Sequence, residues 1–379
     1  MTSELSSLCS YAKGKVSVDT LSKRNYVSTE NMMPNKGGIV DAGALPSAQY
    51  TQQYIKDDIL VSNIRPYFKK IWMADDDGGC SNDVLVFRAD RGCDSTFLYY
   101  ILANDAFFNY ASATSKGTKM PRGDKTAIMQ YKVPCFNYET QLRIGKLLRS
   151  IDDRIAVNKK INDNLQQQLF SLYENMATAS PCLKEYTLSN LCDFQEGYVN
   201  PPQTHPEYFD GEVKWLRAVD INESFIIETS RTLTKAGFES AKKSALLFEP
   251  NTIAISKSGT IGRLGIIADY MCGNRAVINI APHDTNMLAF IYCFLKNKQR
   301  EFPDMAVGSV QKNLYVSLLE PLSVSIPDNE SLTAFNAVGA SILGMIHNNC
   351  VENTDLANLR DTILPKLMSG EIDVSSVLL

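Results

Sequence analysis

Ten side chains between residues 144 and 176 follow one another in alternate steps of four and three: Ile144, Leu148, Ile151, Ile155, Asn158, Asn162, Leu165, Leu169, Leu172 and Met176. A helix gathers such positions onto one narrow stripe, and a stripe that holds this period must keep facing a partner helix. A shift of 191 residues gives Ile342, Ile346, Asn349, Asn353, Leu356, Arg360, Ile363 and Leu367, a second stripe of the same kind. The two therefore read as the seam of a helix pair, with Ile151, Ile155, Asn158, Asn162 and Leu165 in one and Ile342, Ile346, Asn349, Asn353 and Leu356 in the other. Both place two asparagines at matching positions. A seam asparagine is costly unless it meets a polar partner, so its use is to fix register.

The rest of the chain is written twice as well. Leu5-Ser-Ser-Leu-Cys9 returns as Leu188-Ser-Asn-Leu-Cys192, and Ile59–Ser62 returns in type as Ile253–Ser256. Val133-Pro134 precedes one helical stretch and Ile326-Pro327 the other. Each half runs from a mixed, strand-rich region into a long helix, the signature of an internal repeat. The expected organisation is a globular region over 1–135, a long helix and linker over 136–180, a second globular region over 181–327, and a second long helix with a tail over 328–379. The first helix is expected over Gln141–Met176 and the linker over Ala177–Leu183. Strands are expected over Asp83–Phe87, with alternation around Val84 and Val86, over Thr252–Ser256 and over Ala276–Ile280. Thr96–Asn109 and Met287–Lys298 read as helices, and Met33–Gly38 and Asn200–Pro206 as turns or loops. Ser28–Gln53 shows no counterpart motif in the second half and reads as an insertion.

A chain of 379 residues with 44% apolar residues has room for two or three cores. It contains no apolar run of the roughly 18 residues that a membrane helix needs, and its start lacks the basic and apolar blocks of a secretory signal. Nine cysteines without a Cys-x-x-Cys pair fit a reducing cytoplasm. The net charge of −4 argues mildly against a nucleic-acid binder, but seven acidic and only two basic residues fall in the last 52 positions. Local clustering of positive charge matters more than the total.

No catalytic constellation emerges. The phosphate-cradling pattern Gly-x-x-x-x-Gly-Lys-Ser/Thr is absent, and Gly259-Thr-Ile-Gly262 lacks the lysine and hydroxyl pair. His205, His283 and His347 are far apart and have no ligand-spaced neighbours, so no metal site is expected. Asn200-Pro-Pro-Gln203 approaches the Asn-Pro-Pro-aromatic loop of amino-group methyltransferases, but its stacking position holds Gln203 and no glycine-rich cofactor turn lies upstream. The chain is expected to be non-catalytic and to bind no cofactor itself.

What remains is a set of basic and polar loops. Ser62, Asn63, Arg65, Lys69 and Lys70 form one, and Lys116, Lys119, Arg122 and Lys125 form a second on a Gly/Pro-containing stretch. The other half offers Lys257, Ser258, Thr260 and Arg263, then Ser309, Gln311, Lys312 and Asn313. Glycine permits close backbone approach, Lys and Arg meet phosphates, and Arg, Asn and Gln pair with base edges. These 17 residues are the candidate contacts to double-stranded DNA, favoured because the clusters occupy matching places in the two halves.

Thr114–Lys125 followed by Val133-Pro134 resembles the end of a target-recognition domain in type I restriction–modification specificity subunits. Leu147–Ile155 with Asn158–Asn162 resembles the start of that family's spacer helix, Gly308–Leu314 the matching loop of its second domain, and Leu364–Ile372 its C-terminal ending. The resemblance covers essentially the whole chain. It implies an α+β chain in which two mixed α/β target-recognition domains are separated by two long antiparallel coiled-coil helices, with a pseudo-two-fold internal repeat. Each domain would read one half of a bipartite, asymmetric DNA target, and the helices would act as a ruler. The implied partners are two adenine methyltransferase subunits and, in the restricting form, ATP-driven translocase–nuclease subunits. S-adenosylmethionine, ATP and magnesium would belong to those partners. The competing readings are a coiled-coil adaptor that binds proteins without DNA readout, and a self-contained modification enzyme.

Overall fold

The computed structural model describes residues 2–179, 184–309 and 311–375. It divides into two compact units, Met1–Arg154 with Leu356–Leu379, and Ile155–Asp355. Both long helices contribute to both units: the first runs Tyr138–Ala179 and the second Asn329–Ser369. Each starts at a side-chain cap. Asn137 Oδ1 accepts from the Thr140 amide at 2.8 Å, and Asp328 Oδ1 accepts from the Ser331 amide at 2.9 Å. These caps satisfy amides that have no partner inside the helix.

In the first unit, a four-stranded sheet runs in the order Cys9–Tyr11, Val84–Ala89, Ile59–Ser62, Ile71–Met73, all neighbours antiparallel. The second unit builds its main sheet in the same order from Cys192–Glu196, Val277–Pro282, Ile253–Ser256 and Leu264–Ile267, and adds Phe225–Ile226 at the edge. A smaller sheet accompanies each. Tyr26–Val27 pairs in parallel with Gly78–Cys80 in the first unit, and Trp215–Leu216 pairs in parallel with Cys272–Gly273 in the second.

The expected alternation around Val84 and Val86 is not what the structure has, because Val84 to Phe87 are all buried. Leu85 and Phe87 join the core on the helical side with Ile59 and Val61, while Val84 and Val86 join Leu60, Tyr54 and Cys80 in the core under the smaller sheet. A sheet covered on both faces needs apolar residues at every position. The second unit does the same, with Ile253 and Ile255 on one face and Ala254 on the other.

Four further expectations are corrected. The helix expected over Thr96–Asn109 is two helices, Ser95–Ala103 and Asp105–Ala113, because Asn104 leaves helical geometry and caps the second through the Ala106 amide. The helical residues Ala177 to Ala179 replace the start of the expected linker, and the rest of that stretch lies outside the described residues. Ser28–Gln53 is not an insertion. It leaves the parallel strand Tyr26–Val27 through a turn in which Asn31 Oδ1 accepts from the Ser28 amide. The second unit leaves Trp215–Leu216 likewise, with Asp220 Oδ2 accepting from the Arg217 amide. In the first stripe Leu172 is exposed and Tyr173 is buried in its place.

Within the first unit, Ile144 and Leu148 share a core with Leu364 and Leu367, and the Arg360 guanidinium meets Asp152 Oδ1 at 2.6 Å. Asp152 Oδ2 also accepts from the Tyr100 hydroxyl at 2.6 Å. Within the second unit, Asn158 Nδ2 donates to Asn353 Oδ1 at 3.1 Å and to Glu352 Oε2 at 2.8 Å, and Asn349 Nδ2 donates to Asn162 Oδ1 at 2.8 Å. In each unit the partner number falls as the other rises, so the two segments run antiparallel.

Asn162 is buried, so its oxygen depends on Asn349. Asn349→Leu is expected to lower stability by about 1–3 kcal/mol, since a buried acceptor is left bare. Asn162→Leu with Asn349→Leu should recover most of that loss, because neither polar group then remains. Denaturant unfolding of the two single variants and the double variant measures the coupling; strictly additive losses would refute it.

Candidate nucleic-acid interface

In the first unit, the turn between strands Ile59–Ser62 and Ile71–Met73 carries the first basic cluster. The Ser62 amide donates to Lys70 O at 3.1 Å and closes that turn. The Asn63 amide donates to Asp83 O, and the Gly123 amide reaches back to Asn63 O at 3.2 Å. The Arg65 amide donates to Pro121 O at 2.8 Å. The loop holding Lys116, Lys119, Arg122 and Lys125 is thereby seated on the turn. It is pinned by its own reciprocal pair, Lys116 amide to Arg122 O at 2.8 Å and Arg122 amide to Lys116 O at 2.9 Å. Gly117 takes a φ of 98° inside this loop, where a side chain would be strained.

Among the described residues, the second unit repeats these contacts apart from the one made by the Arg65 amide. The Ser256 amide donates to Arg263 O at 2.9 Å, the Lys257 amide to Ala276 O at 2.7 Å, and the Leu314 amide to Lys257 O at 2.9 Å. The reciprocal pair is Val307 with Asn313, at 3.0 and 2.9 Å. Gly308 takes a φ of 138° at the position equivalent to Gly117. Within each unit the two candidate clusters are therefore neighbours, and backbone groups hold them together.

The side chains differ. Lys116 is 82% exposed and pairs with Asp124 at 2.6 Å, and Arg122 is 57% exposed and pairs with Asp83 at 3.0 Å. The Lys116 ammonium, with the Thr126 and Ala127 amides, holds the Asp124 carboxyl below the usual carboxylate range. Lys69 and Lys36 both bind Asp105, at 2.8 and 2.9 Å. Lys70 is turned inward, its ammonium on Thr29 O at 2.6 Å and beside the Phe68 ring, and burial lowers its pKa. Ser62 and Asn63 are buried and shape the turn. Among the described residues, Lys119 and Lys125 form no ion pair.

In the second unit, Lys257 is half-buried between Glu196, at 2.9 Å, and the Tyr315 ring, 5.0 Å away. The Ser256 hydroxyl spans the turn from the Arg263 amide to Thr260 O. Thr260 thus contributes its carbonyl to the turn, and Gln311 O accepts from Asn313 Nδ2 at 3.1 Å. Ser309, Gln311 and Lys312 are exposed, and Ser258, Arg263 and Asn313 are partly buried.

The sequence reading missed Asp83, Asp105 and Asp124, the carboxylates that hold these cations. Only Asp124 had a local signal, as a cap preceding the short helix Lys125–Met129. Two stacked arginines of the second unit were missed too: Arg217 lies over Trp215 at 5.5 Å and Arg231 over Phe209 at 4.2 Å. Arg231 also donates to Gln203 at 3.0 Å, so the Asn200–Gln203 loop holds an arginine through its final side chain.

No group of metal-ligating side chains occurs among the described residues. His205 meets Glu207, His283 meets Asp193, and His347 packs against Phe225. Burial pushes the thiols of Cys80, Cys93, Cys192 and Cys272 up to about 12, the opposite of an activated nucleophile. No helix among the described residues is long and apolar enough to cross a membrane.

The sequence model of the type I restriction modification DNA specificity domain matches residues 1–167 and again 183–354. The chain belongs to this type I specificity family. Among its relatives, the type I restriction enzyme MjaIX specificity subunit of Methanocaldococcus jannaschii is 24% identical over 308 residues, covering 76% of this chain and 71% of that protein. The HindI specificity subunit of Haemophilus influenzae is 26% identical over 176 residues, 45% of this chain and 38% of that one. The crystal structure of a type I S subunit from M. genitalium has the same fold, with a TM-score of 0.57 at 18% identity, covering 97% of this chain and 96% of that one. The specificity family thus accounts for the doubled architecture.

Replacing Lys116, Lys119 and Arg122 together by alanine is expected to weaken duplex binding by the first unit. Each cation that meets a phosphate should flatten the plot of log affinity against log salt by about 0.9. Titrations at several salt concentrations provide the check, and an unchanged slope and affinity would exclude this loop from the interface.

Proposed function

We propose that this type I specificity subunit reads a split, asymmetric duplex sequence, one half through each unit. It performs no chemistry itself and docks two methyltransferase subunits and, in the restricting form, ATP-driven translocase–nuclease subunits. S-adenosylmethionine, ATP and magnesium belong to those partners, and the cytoplasm is the place of work. The outward-facing members of the 17 candidate residues are its DNA contacts, divided between the two loop pairs, while the buried Ser62 and Asn63 and the inward-turned Lys70 hold the first turn in shape.

One observation carries this reading. Among the described residues, the two units share all but one of the backbone hydrogen bonds that seat their paired loops and differ in the side chains those loops display: Lys116 and Arg122 stand where the second unit has Val307 and Asn313. A common frame with divergent side chains is what reading two different half-sites requires, since base edges are distinguished by side chains. An adaptor with a single kind of partner has no such need.

The test exchanges residues 1–135 for the matching part of a relative with a different target. One half of the methylated sequence is expected to change and the other to stay. Methylation mapping that finds both halves altered together would contradict modular reading. The purified chain, mixed with duplex DNA and a labelled methyl donor, is expected to transfer nothing.

A further inference from the structure

Arg65 and Gly259 occupy equivalent places in the two turns. Each lies three residues beyond the serine whose amide closes its turn, and each has a left-handed backbone, with φ of 49° and 76°. Counted from the other end of the turns, which differ in length by one residue, Lys69 and Gly262 also match: each immediately precedes the residue whose carbonyl accepts that amide, Lys70 and Arg263, with φ of 51° and 85°. The second unit thus makes this turn with glycines, which tolerate positive φ freely. The first unit makes it with an arginine and a lysine, at an energetic cost that β-carbon-bearing residues incur there. The second unit forms its turn without a side chain at this position, in open space where a β-carbon on Gly259 would meet no atom within 4 Å.

Lys69 has an internal use for its charge, the ion pair with Asp105. Arg65 has none. Among the described residues no carboxylate pairs with it, and its Nε is buried without a hydrogen-bond partner. Two residues before it, Asn63 is buried and its Oδ1 also lacks a partner. Backbone strain and unmet hydrogen-bonding capacity therefore coincide at one cation, seated between the two candidate loops by its amide bond to Pro121 O. A left-handed backbone also occurs at other non-glycine residues such as Asp57, Glu223 and Asn251, so it is the coincidence with unmet hydrogen-bonding capacity that sets Arg65 apart.

Resting on the DNA-reading function proposed above, we infer that Arg65 is a specificity-determining residue of the first unit, and that it reads the adjacent O6 and N7 acceptors of a guanine in the major groove. The guanidinium fork matches that pair of acceptors, whereas lysine, a point charge, does not. The second unit carries glycine at this position and must read its half-site through other side chains.

The experiment selects the full-length chain against a randomised duplex pool and compares wild type with Arg65→Gly and Arg65→Lys. Arg65→Gly removes the left-handed cost and is expected to unfold no earlier than wild type. Both variants should lose preference for one guanine in one half-site by roughly 5- to 150-fold, the range for a bidentate base contact. The other half-site should be selected as before, and Arg65→Lys should keep the wild-type salt dependence. If Arg65→Gly still demands that guanine, or weakens on all sequences alike, the inference is overturned. If it loses stability with its preferences intact, the arginine is structural and the inference is equally overturned. A wild-type chain that selects no sequence overturns the DNA-reading function itself, and with it this inference.

Discussion

Each unit depends on apolar burial between one face of its main sheet and segments from both long helices. In the first unit Ile144 and Leu148 from one helix and Leu364 and Leu367 from the other enter the same core as Ile59, Val61 and Phe87. In the second, Leu169 and Tyr173 join Phe335, Ile342 and Ile346 against Ile253, Ile255 and Ile280. At roughly 1.5–3 kcal/mol for each large side chain withdrawn from water, these contacts outweigh any single polar pair nearby. The seam asparagines have another use. Asn162 and Asn349 gain little stability from each other, but a slipped register leaves both bare, and that penalty selects one alignment.

The same dependence decided what could be read from the sequence. The stripe was legible because its period is long and strict, and the repeat because hydrophobic strand motifs and Gly-containing loops returned in order. Burial on both sides of Val84–Phe87 was not legible, since an unbroken apolar run looks alike in a strand and in a buried helix. The substitution of Tyr173 for Leu172 was hidden for a related reason. A straight helix drifts from a strict seven-residue period, so the inward position moves by one residue after Leu169. The kinship of Ser28–Gln53 with the second half lies in a turn, and Ser28/Asn31 and Arg217/Asp220 share its hydrogen bond without sharing residues.

For the candidate interface, the positive clusters were visible and their partners were not. Lys116, Arg122 and Lys69 each meet an aspartate, and two of those three aspartates, Asp83 and Asp105, are brought to them only by folding. Backbone amides do the seating, which no residue pattern encodes directly. That division leaves the loops' outward side chains free to vary, because replacing a side chain leaves an amide-to-carbonyl bond in place.

The carboxylates also explain how an acidic chain can present basic loops. An exposed ion pair contributes about 0–1 kcal/mol, screened further by salt. The pairs Lys116–Asp124 and Arg122–Asp83 are of this exposed kind, so a phosphate can replace the aspartate as partner at little cost. Arg360 and Asp152 form the contrasting case. They are largely shielded, Asp152 also accepts from Tyr100 and Arg360 also pairs with Asp361, so removing Asp152 would take away a partner of the guanidinium and the acceptor of the Tyr100 hydroxyl together inside the first unit. One ion pair therefore belongs to the fold and the others to exchange. Exposure and shared hydrogen bonds separate the two classes, whereas the number of charges does not.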